Sequence, residues 1–343
     1  MNGSEFPLSN ISNYDIEGEI DKISIPIYTT FGIIGNILSF SVLVSSSLIK
    51  STTCMYMIVI AVLDTTILII NAVSFFSGLR RRIDIVCKMT SCLFYFAIHF
   101  VTLLIVVMTG ERYLVVKHPL KATAWITRTR TKKIICLVGL FSFFLNVHHV
   151  VIRKVVMDAN TGKLRCLYEG EMNVFFMSKI YPWIDSFVYC FFPLTSLCIL
   201  NILIVKSLRN SKNNLDKYET SGAVKPKQQR QITMMLILVS VAFLLFAGPI
   251  GIMLVLTQYS WFPKTAQEWG DYYLVETVAR NLMYINHSMN FILYVVSGQK
   301  FRGELRRLFS RLLVFRHQSN TKITPRQRQI YICHDNVRPN RDV

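Results

Sequence analysis

Ionisable side chains inside long apolar segments are the residues of this 343-residue sequence that point to chemistry. Asp64 lies in the middle of one apolar segment, and Glu111-Arg112-Tyr113 closes another. A charge in a hydrocarbon layer is costly, so each of these residues indicates a function and requires a partner.

Amide side chains from other apolar segments are available to Asp64. A carboxylate among amides holds a cation or a proton, or it ties helices together by hydrogen bonds, and the residues alone leave these alternatives open. The predicted intramembrane polar network consists of Asn36, Asp64, Asn286 and Asn290.

Other kinds of chemistry find little support in the residue pattern. No nucleophile stands in a recognisable arrangement with a base, so the chain is predicted not to be an enzyme and to need no cofactor. The eight cysteines include no C-x-x-C pair, and no metal site is predicted from them.

Seven apolar segments must position these residues. A helix needs about 20 mostly apolar residues to cross a bilayer. The mean hydropathy of +0.39 and the 17% share of charged residues indicate a membrane protein rather than soluble domains. The absence of an internal repeat argues against a transporter made of duplicated halves. The predicted spans are Ile23–Val44, Met55–Phe76, Val86–Met108, Ile134–Ile152, Tyr181–Val205, Ile232–Leu256 and Tyr272–Val296.

The net charge of +18 is distributed as expected for a membrane protein, so no nucleic-acid partner is predicted. If the N-terminus is extracellular, the cytoplasmic segments hold 25 Lys and Arg residues and the extracellular segments hold 11. This orientation places the C-terminus in the cytosol and predicts the plasma membrane as location. Asn2 and Asn10 begin glycosylation sequons in the predicted extracellular tail.

Four regions follow from these patterns. We predict an extracellular tail at 1–22, a seven-helix bundle at 23–296, an amphipathic helix at 297–316 and a disordered cytoplasmic tail at 317–343. The amphipathic helix is basic, which is typical of a helix on the inner leaflet that binds anionic lipids. A soluble helix packed against the bundle is the alternative.

Two cysteines are candidates for a disulfide at the extracellular side. Cys87 begins the third span, and Cys166 lies in the loop between the fourth and fifth spans. Both face an oxidising compartment in the predicted orientation. Cys92 competes with Cys87, but it lies about 7.5 Å deeper along the helix. We therefore predict a Cys87–Cys166 disulfide.

These landmarks resemble the class A (rhodopsin-like) G-protein-coupled receptors over about residues 25–312. The resemblance implies an all-α fold, a seven-transmembrane bundle that couples an extracellular ligand to a heterotrimeric G protein, with arrestin as a further partner. Cys87 stands 25 residues before Arg112, the usual separation for the family's disulfide cysteine. The other matching motifs are Gly35-Asn36, Ala61-Val62-Leu63-Asp64, Glu111-Arg112-Tyr113, His118-Pro119-Leu120, Pro193, Phe243 with Pro249, and Asn290-Phe291-Ile292-Leu293-Tyr294.

The resemblance also implies which residues act in signalling, and where this chain departs from the family. Ala247 replaces the sixth-span switch tryptophan, and Gln229 replaces an acid that restrains the third-span arginine. Val101 replaces a serine that helps to hold sodium near Asp64, so no metal site is assigned there. The residues implied in G-protein coupling and switching are Glu111, Arg112, Tyr113, Phe243, Pro249, Asn290 and Tyr294.

Within the family, Ile285–Arg302 resembles invertebrate FMRFamide-type neuropeptide receptors, which implies a neuropeptide ligand. Phe94 stands where amine receptors have an aspartate, and Tyr284 stands where opsins have a lysine. The guanidinium of an Arg-Phe-amide ligand needs a carboxylate, because an unpaired buried charge is costly. A chemosensory or lipid receptor, with a small-molecule ligand, and a seven-helix transporter or channel are the alternatives. The candidate ligand contacts are Phe94, Tyr95, His99, Glu171, Asp185, Met253, Glu276, Arg280 and Tyr284.

Overall fold

The computed structural model describes residues 12–45, 47–157, 162–215, 226–259 and 265–320. These residues are almost entirely helical, as the apolar segments predict. The chain divides into two compact units, Met1–Gln299 and Lys300–Val343. Asn2 and Asn10, with the predicted tail after residue 320, lie outside the described residues.

Long helices form the first unit. Six of the described helical segments are long and apolar enough to cross a bilayer. A further long helix carries Glu276 and Arg280 in its N-terminal half, which lowers its hydropathy. The first helix, Ser12–Ser45, begins about three turns before Ile23, the predicted start of the first span. The helices up to the end of the fourth span are α1 (Ser12–Ser45), α2 (Thr52–Ser77), α3 (Asp84–Lys117), α4 (Pro119–Trp125), α5 (Arg128–Asn146) and α6 (His148–Ile152).

The fifth span is irregular around two prolines. Two π-helical segments, Phe176–Ile180 and Phe187–Phe191, flank a short α-helix. Pro182 and Pro193 follow these segments closely, and proline has no N–H with which to close an α-helical turn.

The helices from the fifth span to the end of the seventh are α7 (Glu171–Phe175), α8 (Tyr181–Ser186), α9 (Phe192–Leu215), α10 (Pro226–Tyr259) and α11 (Ala266–Ser297).

Helix α3 is the most buried of the apolar spans, because it packs against α2, α5 and α9. Helix α11 packs against α1 and α10, which closes the other side of the bundle. Gly32 allows the close approach of α1 and α11, since a Cβ at this position would lie 2.9 Å from the Ser288 Cα.

A β-hairpin follows the fourth span on the side where α3 begins. Strands β1 (Arg153–Met157) and β2 (Leu164–Tyr168) pair in antiparallel fashion, and Val155 lies opposite Cys166. The Val155 N–H donates to Asp84 Oδ1 at 3.0 Å. A disulfide joins Cys87 to Cys166, with a Cα–Cα distance of 5.7 Å, so the predicted pairing is confirmed.

The second unit contains most of α12 (Gln299–Asn320), which covers nearly all of the segment predicted to be amphipathic. Arg307 and Glu304 form an ion pair of 2.9 Å on its exposed surface. The position of this helix on the inner leaflet stays a prediction.

Candidate functional site

A cavity of about 270 Å³ lies among the halves of the spans at the end of the bundle where α3 begins. This volume is close to the lower end of the range of about 300–1,000 Å³ usual for small-ligand sites. Six of the nine predicted ligand contacts line it: Phe94, Tyr95, Asp185, Glu276, Arg280 and Tyr284. Arg80, which the sequence did not single out as a ligand contact, also lines the cavity.

The other three predicted contacts lie elsewhere. His99 is fully buried behind the cavity wall, where it contacts Asp185. Met253 is buried, and its neighbours Ile250 and Leu254 face the cavity instead. Glu171 is exposed at the first turn of α7 and does not reach the cavity.

A chain of buried polar contacts runs from Tyr181 to Asp185 in the cavity wall. The Tyr181 hydroxyl donates to Asn146 Oδ1 at 2.8 Å, which orients the Asn146 amide. The amide nitrogen lies 2.9 Å from His99 Nδ1, so Nδ1 accepts and the ring hydrogen is on Nε2. His99 Nε2 lies 2.9 Å from Asp185 Oδ1. These contacts place the His99 ring beside the Asp185 carboxylate, which lines the cavity.

Arg280 is neutralised within the protein. Its guanidinium contacts Glu276 at 3.2 Å, one helical turn away, and Asp21 of α1 at 2.9 Å. A second α1 carboxylate, Glu17, lies 3.9 Å away. Three carboxylates therefore surround one arginine, and Arg280 needs no anionic ligand. The two α1 acids lie before the predicted first span, and nothing in the sequence indicated that they contact Arg280.

Aromatic rings line the wall between these charged groups. Tyr284 stacks on Tyr28 with a ring-centroid distance of 5.4 Å, and Phe94 lies 6.3 Å from Tyr284. Tyr95 stacks on His149 at 4.5 Å. The wall therefore offers apolar and π surfaces to a ligand.

The cavity is linked by packing to α10. Tyr189 lines the cavity, and its ring centroid lies 6.3 Å from that of the buried Phe243. Pro249 lies inside α10 one and a half turns further along. One turn before Arg112, the Thr109 hydroxyl lies 3.3 Å from that of Ser240, which joins α3 to α10.

Asp64 is fully buried between α2 and α11. Its Oδ2 accepts a hydrogen bond of 2.6 Å from the Asn290 amide, and its Oδ1 lies 2.7 Å from His287 Nδ1. Asn36 donates to the His287 carbonyl at 3.1 Å rather than to Asp64. Asn286 is buried on the same helix, but its neighbour His287 supplies the contact to the carboxylate. The sequence predicted an amide cluster and missed the histidine.

Near the C-terminal end of α3, Glu111 is turned away from Arg112. The Tyr56 hydroxyl donates to Glu111 Oε1 at 2.5 Å, and the Thr131 hydroxyl lies 3.5 Å from the same oxygen. Arg112 is buried, and its Nε has no hydrogen-bond partner in the described part of the chain. Tyr113 is half-buried, with Lys117 Nζ 5.2 Å from its ring centroid. Tyr294 is 1% exposed inside the bundle.

Comparison with known proteins agrees with this architecture. A family model described as "7 transmembrane receptor (rhodopsin family)" matches residues 35–294. The human neuromedin-U receptor 2 is 22% identical over 92% of this chain and 78% of its own length. The thyrotropin-releasing hormone receptor of Gallus gallus is 26% identical over 81% of this chain and 75% of its own length. The FMRFamide receptor of Drosophila melanogaster is 29% identical over 61% of this chain and 36% of its own length.

The family match covers the last part of the first apolar span, all of the other five, and the helix that carries Asn290 as far as Tyr294. The chain is therefore a multi-pass membrane protein and a receptor rather than an enzyme, and it belongs to the rhodopsin family of seven-transmembrane receptors.

Proposed function

We propose that this chain is a plasma-membrane receptor for an extracellular neuropeptide and that it activates a heterotrimeric G protein. The observation that carries the proposal is a cavity with aromatic walls and one oriented carboxylate, Asp185, in a bundle of the rhodopsin family. The relatives named for neuromedin U, thyrotropin-releasing hormone and FMRFamide support a peptide as the ligand.

Asp185 receives a basic group of the peptide. Arg280 is already surrounded by carboxylates, while the one ion-pair contact of Asp185 among the described residues is with the His99 ring. A guanidinium bound there exchanges water for a charge-assisted hydrogen bond, which is stronger than a neutral one. An Arg-Phe-amide peptide end satisfies this arrangement, with its aromatic ring against Phe94 and Tyr284.

Ligand binding shifts the bundle between two conformations. A peptide changes the equilibrium only if it binds one conformation more tightly. Tyr189 joins the cavity to Phe243 on α10, where Pro249 removes one backbone hydrogen bond and favours a kink. Outward movement of the inner end of α10 then exposes Arg112 to the G protein, while Asn290 and Tyr294 rearrange alongside.

The remaining assignments follow the same proposal. The N-terminus with Asn2 and Asn10 is extracellular and glycosylated, and the C-terminus is cytosolic, where arrestin binds after phosphorylation. The segment 297–316 binds inner-leaflet lipids. Asp64 takes part in the intramembrane network without sodium, because nitrogen atoms of His287 and Asn290 already contact both of its oxygens.

The test uses cells that express the receptor and a panel of short amidated peptides with and without arginine. We expect calcium or cAMP responses to arginine-bearing peptides, and a loss of about 10- to 100-fold in potency in Asp185→Asn. Glu171→Gln is the matched control, since this exposed carboxylate lies away from the cavity. A receptor that responds to apolar small molecules and to no peptide would contradict the proposal.

A further inference from the structure

A further charged residue of the cavity wall, Arg80, takes no part in the peptide contacts proposed for Asp185. Arg80 stands on the short turn between α2 and α3, and its side chain lines the cavity. One of its terminal nitrogens donates to the Ser91 hydroxyl at 3.2 Å, beside the Cys87–Cys166 disulfide. Its Nε is buried and has no hydrogen-bond partner among the residues that the structure describes.

A second arginine adds to this positive charge. Arg153, at the start of β1, is 7% exposed, and it donates to the Tyr168 hydroxyl at 2.6 Å. Its guanidinium carbon lies 4.5 Å from the centroid of the same ring. The Arg153 Nε also lacks a hydrogen-bond partner in the described ranges. Strand β2, which carries Tyr168, packs on the turn of Arg80.

No carboxylate of the described residues pairs with these two arginines. Asp84 pairs with Lys88 at 2.8 Å, and Glu169 pairs with Lys154 at 2.7 Å. Asp185 contacts His99, as described above. Within the described residues, neither Arg80 nor Arg153 forms an ion pair. The half-buried Arg80 therefore lines the cavity with no carboxylate of its own, and the buried Arg153 belongs to the hairpin that packs on its turn.

Burial and the neighbouring Arg153 both make the positive charge of Arg80 less favourable. Burial lowers the pKa of the Arg80 guanidinium, and the positive charge of Arg153 lowers this pKa further. Burial also raises the pKa of the Tyr168 hydroxyl, so this neighbour stays neutral and adds no negative charge. An uncompensated buried charge is costly, and a bound anion removes that cost.

We propose that Arg80, with Arg153 beside it, forms a subsite for a carboxylate of the ligand. This inference rests on the proposed function for the identity of the ligand as a peptide. It adds a requirement: the peptide carries an acidic group as well as the basic group that Asp185 receives. The carboxylate is either an Asp or Glu side chain or a free C-terminus, and both offer the two oxygens that a guanidinium fork binds.

The first experiment needs no peptide. Purified receptor in lipid nanodiscs is heated with glutarate, or with uncharged glutaramide at equal ionic strength. We expect glutarate to raise the unfolding temperature of the wild type above the value in glutaramide, and Arg80→Gln to abolish the difference. Arg82→Gln, an exposed residue of the same turn, is the matched control and keeps the difference. Equal effects of glutarate on wild type and Arg80→Gln would overturn the subsite.

The second experiment identifies the source of the carboxylate. Cells are tested with three forms of each active peptide: amidated with Asp, amidated with Asn in its place, and Asn with a free C-terminus. We expect one acidic form to be favoured, and Arg80→Gln to reduce its potency by about 10- to 100-fold while Arg80→Lys retains part of it. Equal potency of the neutral form on wild type overturns the subsite, but it leaves the peptide-receptor proposal intact. A receptor that responds to no peptide contradicts the proposed function, and the nanodisc experiment then still decides the anion subsite.

Discussion

His287 Nδ1 lies 2.7 Å from Asp64 Oδ1, and both side chains are almost completely buried in the bundle. Since a carboxylate accepts hydrogen bonds, an ionised Asp64 places the ring hydrogen on Nδ1. The pair joins α2 to α11, the helix that also carries Asn290. Asp64 is therefore held by one ring and one amide from the same helix.

His287→Ala removes one of the two donors of Asp64. We expect the free energy of unfolding to fall by about 1–3 kcal/mol, because a buried acceptor loses its hydrogen bond. The measurement is the unfolding temperature of purified receptor in nanodiscs. In an Asp64→Asn background, we expect His287→Ala to lower the free energy of unfolding by a smaller amount. Equal losses in both backgrounds would show that the ring only fills space.

Tyr56→Phe removes the hydroxyl that turns Glu111 away from Arg112. The freed carboxylate is expected to pair with its neighbouring arginine, which would lower peptide-independent nucleotide exchange by about tenfold. Exchange is measured with membranes and added G protein. The control is Glu111→Gln, in which Tyr56→Phe should have little further effect. Unchanged exchange in Tyr56→Phe alone would rule out this use of the Tyr56 hydroxyl.

Cys87→Ala and Cys166→Ala each open the disulfide across a sequence separation of 79 residues. The loop-closure model gives a loss of about 4–5 kcal/mol for such a ring, and native strain changes this value. We expect a large fall in unfolding temperature and in surface expression, with the double variant no worse than either single one. Cys92→Ala is the control, since Cys92 is a buried free thiol. Additive losses in the double variant would argue against the bond as the cause.

Gly251→Ala tests the packing of α10 on the fifth span. A Cβ at Gly251 would lie 2.5 Å from Cys190 Sγ and 2.7 Å from Cys190 Cβ, so the helices must move apart. We expect a loss of about 1–3 kcal/mol from overpacking, seen as a lower unfolding temperature.

Gly248→Ala is the matched substitution one turn away, where the nearest atom, Leu194 Cδ2, is 4.0 Å distant. It should leave stability unchanged or raise it slightly, since alanine favours helix. Adding Cys190→Gly to Gly251→Ala should restore part of the loss. A fall of equal size in both alanine variants would contradict the packing argument.

The apolar segments, the family motifs and the disulfide were predictable from the sequence. Membrane-crossing helices need only a run of apolar residues of sufficient length, and that property is local. The Cys87–Cys166 disulfide could be predicted because both cysteines face an oxidising compartment in the predicted orientation. The competing Cys92 lies too far down the span to form the bond. The Glu276–Arg280 contact is also local, since residues four apart share a helix face.

The partners across helices were decided by the tertiary structure. One step along a helix turns a side chain by about 100°, so whether Asn286 or His287 faces Asp64 depends on the rotation of α11. The acids of α1 reach Arg280, and His99 stands behind Asp185, because of the relative depth of helices far apart in the chain. Arg80 and Arg153 come together only because the hairpin folds onto the turn after α2. Neither helix rotation nor depth is contained in a local residue pattern, which is why these contacts could not be predicted from it.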